Sequence, residues 1–109
     1  MPLQTCQAVG CSHPVARGRF MCRPHWYGLP APLRRHINAT WRDRQKHAPA
    51  GVRAQAPFIL AHVEACDEAR RWTADAEGRL AHYIPDALRL RRLYEHAGQT
   101  PPADAGDDA

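Results

Sequence analysis

Residues 6–41, from Cys6 to Trp41, read CQAVGCSHPVARGRFMCRPHWYGLPAPLRRHINATW. Its ligand-type residues fall into two pairs: Cys6 and Cys11 are separated by four residues, and Cys22 is followed by His25 after two. Three thiols and an imidazole form a ligand set that Zn²⁺ prefers, and close pairing lowers the entropy lost when the site closes. We therefore predict one structural zinc ion bound by these four residues.

The cysteines and His13 also have other interpretations. Four cysteines can form two disulfides, but nothing in the sequence indicates export, so metal is favoured. His13 also lies between the pairs and remains an alternative to His25, although it lacks the paired spacing. Cys66 falls on the apolar side of a predicted helix and is interpreted as a buried thiol. Because four protein ligands fill a tetrahedral shell, we expect a structural zinc and no enzymatic activity.

Composition points to a small domain with a modest apolar core. The chain has 109 residues, of which 44% are hydrophobic, so a structural metal is a plausible supplement to the core. No stretch approaches the roughly 18 consecutive apolar residues of a membrane span, and the N-terminus lacks the charged-then-apolar pattern of a signal peptide. We expect a cytoplasmic protein with no membrane partner.

Charge is distributed unevenly along the chain. Residues 1–53 contain nine Lys and Arg but a single acidic residue, Asp43, whereas residues 54–97 contain six Arg and seven acidic residues. Residues 98–109 add three aspartates, so the overall charge of +4 conceals a strongly basic N-terminal half. This asymmetry predicts that the N-terminal half meets a polyanion or an acidic protein surface.

The chain beyond the cysteines is predicted to be mostly α-helical. A small hairpin is expected within residues 15–21 around Gly18, and a first helix over residues 31–46, where Leu33, Ile37 and Trp41 recur at four-residue spacing. A second helix is predicted over residues 57–77, beginning at Pro57 and carrying a broad apolar side that includes Trp72.

A third helix is predicted over residues 85–97. The predicted organisation is a zinc-binding module with the first basic helix (residues 1–47), a helical hairpin packing on it (residues 52–98) and a disordered acidic tail (residues 99–109).

One run, G-C…G-R-F-M-C-R-P-H-W…L-P…L-R, resembles treble-clef-type zinc fingers, and more narrowly the short uncharacterised zinc-finger reading frames of bacteria and their phages. The resemblance covers residues 6–45. It implies a ligand pair from a knuckle and hairpin that meets a second pair at the start of a helix, with Trp26 and Leu29 packing beneath the site. It carries no activity. Treble clefs also occur in HNH-type nucleases. Because His36 and Asn38 resemble part of such an active site, an HNH-like nuclease relic is a minor alternative.

The predicted recognition surface is the polar side of the first helix together with the zinc loop. Arg and Lys contact phosphates and Asn can read base edges, so a nucleic-acid-binding or regulatory accessory protein is the leading hypothesis, with DNA or structured RNA as partner. Its residues are Arg17, Arg19, Arg23, Arg34, Arg35, Asn38, Arg42 and Lys46. An ordinary solvated side of an Arg-rich protein explains the same pattern. The alternative function is a protein-interaction module, binding a host protein or a second copy of itself through helix 57–77.

Overall fold

A computed structural model describes residues 4–16, 18–88 and 90–91. Strand β1 (Gln4–Thr5) pairs antiparallel with β2 (Pro14–Val15), with Gln4 opposite Val15. A hairpin near the cysteines is therefore confirmed, but its predicted position within residues 15–21 is wrong. Gly18 has a φ of +89° and lies in a turn closed by the Arg19 N–H donating to the Ala16 carbonyl, so this segment turns where a strand would extend.

Helices make up most of the described chain, which confirms the predicted fold class. They are α1 (Arg23–Gly28), α2 (Ala31–His47), α3 (Val52–Ala76) and α4, of which residues 86–88, 90 and 91 are helical. Single 3₁₀ turns occupy Ala48–Ala50 and Leu80–His82. Helix α2 matches its prediction to within one residue. The end of the third predicted helix and all of residues 99–109 lie outside the described residues.

Helix α3 begins five residues earlier than predicted, because Gly51, rather than Pro57, separates it from the preceding turn. Gly51 adopts a φ of +99°, and the Gln55 N–H donates to the Gly51 carbonyl as the first helical bond. Pro57 lies inside the helix. It removes the N–H that would otherwise bond to the Arg53 carbonyl, and Arg53 is exposed, so water can satisfy that carbonyl.

The chain forms two compact units, each assembled from segments distant in sequence. Of the described residues, those up to residue 34 and residues 68–84 cluster as the first unit, and residues 35–67 and those from 85 to 91 as the second. The predicted division at residues 47–52 remains a prediction.

Small side chains dominate the buried part of the first unit. Met21 and Leu29 are its larger buried residues, beside buried thiols and alanines. Among its described residues, the first unit therefore buries few large apolar side chains.

The second unit is built on an antiparallel pair of helical segments. Leu60, which is fully buried, lies in α3, and Ile37 and Thr40 are the buried residues of α2. The Thr40 Oγ1 lies 3.0 Å from the His62 Nδ1, and the His47 and Phe58 rings stack with centroids 3.7 Å apart.

The buried carboxylate of Asp67 caps the start of α4. Its two oxygens accept from the backbone N–H groups of Asp86, at 2.9 Å, and Ala87, at 2.8 Å. These are N–H groups at a helix start that have no intrahelical acceptor, so a side chain 19 residues upstream completes the helix. Among the described residues, no helix combines the length and the apolar character needed to cross a membrane.

Candidate metal centre

Four side chains converge at the start of the chain. The ligand atoms of Cys6, Cys11, Cys22 and His25 all lie within 4.8 Å of one another, and none of the cysteines is in a disulfide. The His25 Nδ1 is 3.5 Å from the Cys6 Sγ and 3.1 Å from the Cys22 Sγ. The four residues identified from their spacing are therefore brought together. His13 is exposed and is not part of the cluster.

The first pair is positioned by the hairpin and a tight turn. Cys6 directly follows β1, and its N–H donates to the His13 carbonyl across the hairpin. The Cys11 N–H donates back to the Ala8 carbonyl, and Gly10 between them adopts a φ of +78°. A residue with a side chain rarely adopts that conformation, so the glycine allows the chain to reverse and return the second thiol to the first.

The second pair is positioned by the first turn of α1. Cys22 is the residue before the helix, and its carbonyl accepts from the Trp26 N–H. Pro24 fits in this first turn because its missing N–H has no helical acceptor there. Two intervening residues then place His25 beside Cys22. Leu29, just past the helix, is buried, and Trp26 is half-buried.

The cluster fits a small tetrahedral cation. With Zn–S near 2.3 Å and Zn–N near 2.05 Å, tetrahedral geometry places sulfur and nitrogen ligands about 3.5 Å apart. The observed separation of Cys6 Sγ from His25 Nδ1 is 3.5 Å, and Cys22 Sγ lies somewhat closer. Cys6 and Cys22 are buried and Cys11 is half-buried. These residues can hold one metal ion, and the thiolate-rich donor set favours a soft or borderline metal over Mg²⁺ or Ca²⁺.

The protonation of the buried thiols matters for metal binding. Burial raises the pKa of the Cys6 thiol to about 11, although hydrogen bonds from the backbone of Cys22 and Ala8 lower this pKa. A bound cation favours the thiolate strongly, so metal binding at this cluster must release protons.

Residues from the last turns of α3 and the segment just after it contact His25 and the cysteine loop, and sequence reasoning missed them. The Glu77 Oε2 lies 2.9 Å from the His25 Nε2. The Arg79 Nη1 donates to the Val9 carbonyl at 3.0 Å, and the Arg70 Nε donates to the Gln7 carbonyl at 3.0 Å. Both carbonyls belong to the loop between the first two cysteines. No local motif marks these residues, since each is more than 50 residues from its partner.

Four of the predicted nucleic-acid-binding residues are exposed along α2. They lie on the side opposite the buried Ile37 and Thr40, as their spacing of three and four residues predicts. We call them the basic face: Arg35, Asn38, Arg42 and Lys46. Asp43 is also exposed on α2 but is rotated away from the centre of this set.

The remaining predicted binding residues have different surroundings. Arg34 is half-buried, its Nε has no hydrogen-bond partner in the described part of the chain, and its guanidinium lies 5.7 Å from the Tyr27 ring centroid. Arg23 lies over the same ring at 5.9 Å. Arg19 is exposed, and Arg17 lies outside the described residues. Arg34 therefore does not share the full exposure predicted for it.

Two other predicted features can be placed. His36 and Asn38, the fragment behind the nuclease alternative, are exposed on α2 and contribute no atom to the metal cluster. In helix α3, Trp72 is 41% exposed, although the apolar pattern predicted it on the buried side. It borders a groove of about 330 Å³. The groove is lined by Pro30, Leu33, Glu68, Arg71, Trp72, Asp75 and Leu80.

Comparisons with protein-family models, with curated proteins and with solved structures find no match to this chain. The identity of the site therefore rests on its own chemistry: three thiols and one imidazole, close enough together to bind a single metal ion.

Proposed function

We propose that this chain is a zinc-stabilised, treble-clef-like module without enzymatic activity that binds nucleic acid through the basic face of α2. The observation that carries the binding proposal is the exposure of Arg35, Asn38, Arg42 and Lys46 on one side of a 17-residue helix. The observation that carries the zinc proposal is the convergence of three thiols and an imidazole. Four protein ligands leave no open position for a substrate or a catalytic water, which supports a structural role.

The chemistry of the basic face suits a nucleic-acid duplex. Helix α2 is about 25 Å long, and the major groove of B-DNA admits an α-helix. Arg35, Arg42 and Lys46 supply cations for phosphates, and Asn38 supplies an amide that can pair with an adenine edge. The deep, narrow major groove of A-form RNA does not admit side chains in this way, so duplex DNA is the better fit and structured RNA the comparison.

The binding proposal is tested with charge-matched double variants. R42E/K46E removes two cations of the basic face, whereas R53E/R71E makes the same change in net charge at two exposed arginines of α3. Affinity for a 20-base-pair duplex is measured by fluorescence anisotropy over a range of salt concentrations. Each lost phosphate contact reduces the slope of log K against log salt by about 0.9 for duplex DNA, so R42E/K46E should lose about two units of slope.

The control decides what a loss of affinity means. R53E/R71E should leave the slope nearly unchanged, because these residues lie outside the basic face. If both double variants weaken binding equally, long-range charge alone explains the affinity. An unmodified chain that fails to bind duplex DNA and structured RNA at low salt defeats the proposal. Arg34 is omitted from the test because its half-buried guanidinium packs on Tyr27 and its loss would disturb folding.

A protein-interaction role through helix 57–77 is the second candidate, and the exposure of Trp72 favours it. An exposed tryptophan that borders a groove is a common centre of a protein interface. Sedimentation velocity tests the self-associating form. W72A should shift a dimer toward monomer, whereas W41A, which removes the 44%-exposed tryptophan of α2, should not. A chain that stays monomeric at every concentration measured counts against it.

A further inference from the structure

Both ring nitrogens of His25 have defined partners. Nδ1 faces the thiols of Cys6 and Cys22, at 3.5 and 3.1 Å, and Nε2 lies 2.9 Å from the carboxylate of Glu77. The imidazole is therefore held between the metal cluster on one side and an acid on the other. The side chains are 19% exposed for His25 and 36% exposed for Glu77, so the contact is partly shielded from water.

Hydrogen bonds hold the backbone around Glu77. The Glu77 N–H still donates to the Thr73 carbonyl, so the residue continues the hydrogen bonding of α3. Gly78 then adopts a φ of +71° and ends the helix. Arg79, directly beyond, is bound to the Val9 carbonyl. The carboxylate thus comes from the residue directly after α3, and the side chain of Arg79, two residues further on, binds the loop between Cys6 and Cys11.

This geometry determines what Glu77 does for a metal ligand. A neutral imidazole binds a metal through the nitrogen that carries a lone pair, while its other nitrogen carries the proton. A carboxylate that accepts this N–H selects the tautomer, orients the ring and makes the ligating nitrogen more basic. With Glu77 at Nε2, the nitrogen left to bind the metal is Nδ1, which is the one that faces the thiols.

We propose that Glu77 is a positioning residue of the zinc site: it holds His25 as the Nδ1-ligating tautomer and strengthens zinc binding 10- to 100-fold, the range typical of such outer partners. This inference rests on the zinc site proposed above. It also makes the site depend on a residue 52 positions away from the ligand it orients. The orientation of the His25 ligand then depends on Glu77, just past the end of α3, and the first 47 residues alone bind zinc more weakly than the whole chain.

The test uses the full chain with Zn²⁺ as the probe. Zinc affinity is measured by competition with a chromophoric chelator for the unmodified chain, E77A, E77Q and the control D75A. E77A should weaken binding about 10- to 100-fold. E77Q should fall in between, because its amide oxygen can accept the same N–H without a full negative charge. D75A removes an exposed carboxylate two residues away and should stay within about twofold of the unmodified chain.

A spectroscopic readout separates orientation from general destabilisation. Long-range ¹H–¹⁵N correlation spectra of the zinc-loaded chain should show His25 metallated at Nδ1 and protonated at Nε2. Loss of Glu77 should alter the Nε2 and Hε1 resonances while far-UV circular dichroism at saturating zinc stays unchanged.

Three results would overturn the inference, and they have distinct meanings. If the unmodified chain does not bind Zn²⁺, the zinc site itself fails and this inference fails with it. If the unmodified chain binds Zn²⁺ and E77A binds as tightly as D75A, Glu77 has no positioning role and the zinc site stands. If zinc is bound by Nε2 of His25, the assignment of the ligating nitrogen is wrong.

Discussion

Removal of the metal should unfold the region around the cysteines. The size of the expected effect follows from the small number of large apolar side chains buried there. In the first unit, Val15, Met21 and Leu29 are the bulkier buried apolar side chains, and each contributes about 1.5–3 kcal/mol on burial. Structural Zn²⁺ contributes about 10–16 kcal/mol at neutral pH in Cys- and His-containing peptides. A domain of this length has a net free energy of unfolding of about 5–15 kcal/mol, so the metal term is comparable to the whole.

Amide hydrogen exchange measured by NMR tests this prediction at individual residues. The informative amides are those whose hydrogen bonds build the site, namely the N–H groups of Cys6, Cys11 and Trp26. After chelation, their protection should fall by at least about a thousandfold, which corresponds to about 4 kcal/mol. Amides next to the fully buried Leu60, in the second unit, should retain more of their protection.

Two variants control for the chelator and for thiol content. C22S should bind no stoichiometric zinc and should resemble the chelated chain even in added zinc. C66A removes the cysteine outside the cluster and should bind one zinc per chain, with the unmodified protection pattern. If the Cys6, Cys11 and Trp26 amides keep their protection in a chain shown by elemental analysis to contain no metal, zinc does not stabilise this region.

Three further predictions concern the second unit, each measured by urea unfolding at saturating zinc. L60A should cost about 2–5 kcal/mol because a fully buried side chain is replaced by a cavity, and a cost below about 1 kcal/mol would contradict this packing. D67A should cost about 1–3 kcal/mol, since the Ala87 N–H loses its acceptor at the start of α4; an unchanged midpoint would mean that the cap is dispensable. Burial, aided by the positive charge of Arg44, lowers the pKa of His62. At a pH near or below 6.5 the unfolded chain therefore binds more protons than the folded chain, so the free energy of unfolding decreases as the pH decreases. The difference in the free energy of unfolding between the unmodified chain and H62N should therefore narrow as the pH falls from about 7.5 to 5.5, by at most about 1.4 kcal/mol per pH unit. A difference that widens would mean that the pKa of His62 is raised on folding.

The local features of this protein were predictable from its residue spacing. The close spacing of each ligand pair identified the four residues that converge, because a short loop between ligands constrains both of them to one place. The apolar spacing of Leu33 and Ile37 identified α2 almost to the residue, because a helix with one buried side repeats every three to four positions.

Features that depend on contacts between distant segments were not predictable in this way. Glu77 beside His25 has no signature in sequence, because a hydrogen bond across 52 residues depends on where the end of α3 comes to lie. For the same reason, periodicity placed Trp72 on the buried side of its helix, whereas the residues packed around it leave it 41% exposed. Even the start of α3 was set by the backbone of Gly51 and not by Pro57, since a proline allows a helix start but does not require one. Spacing therefore determined which residues can bind a metal, and the long-range fold determined which side chains orient them.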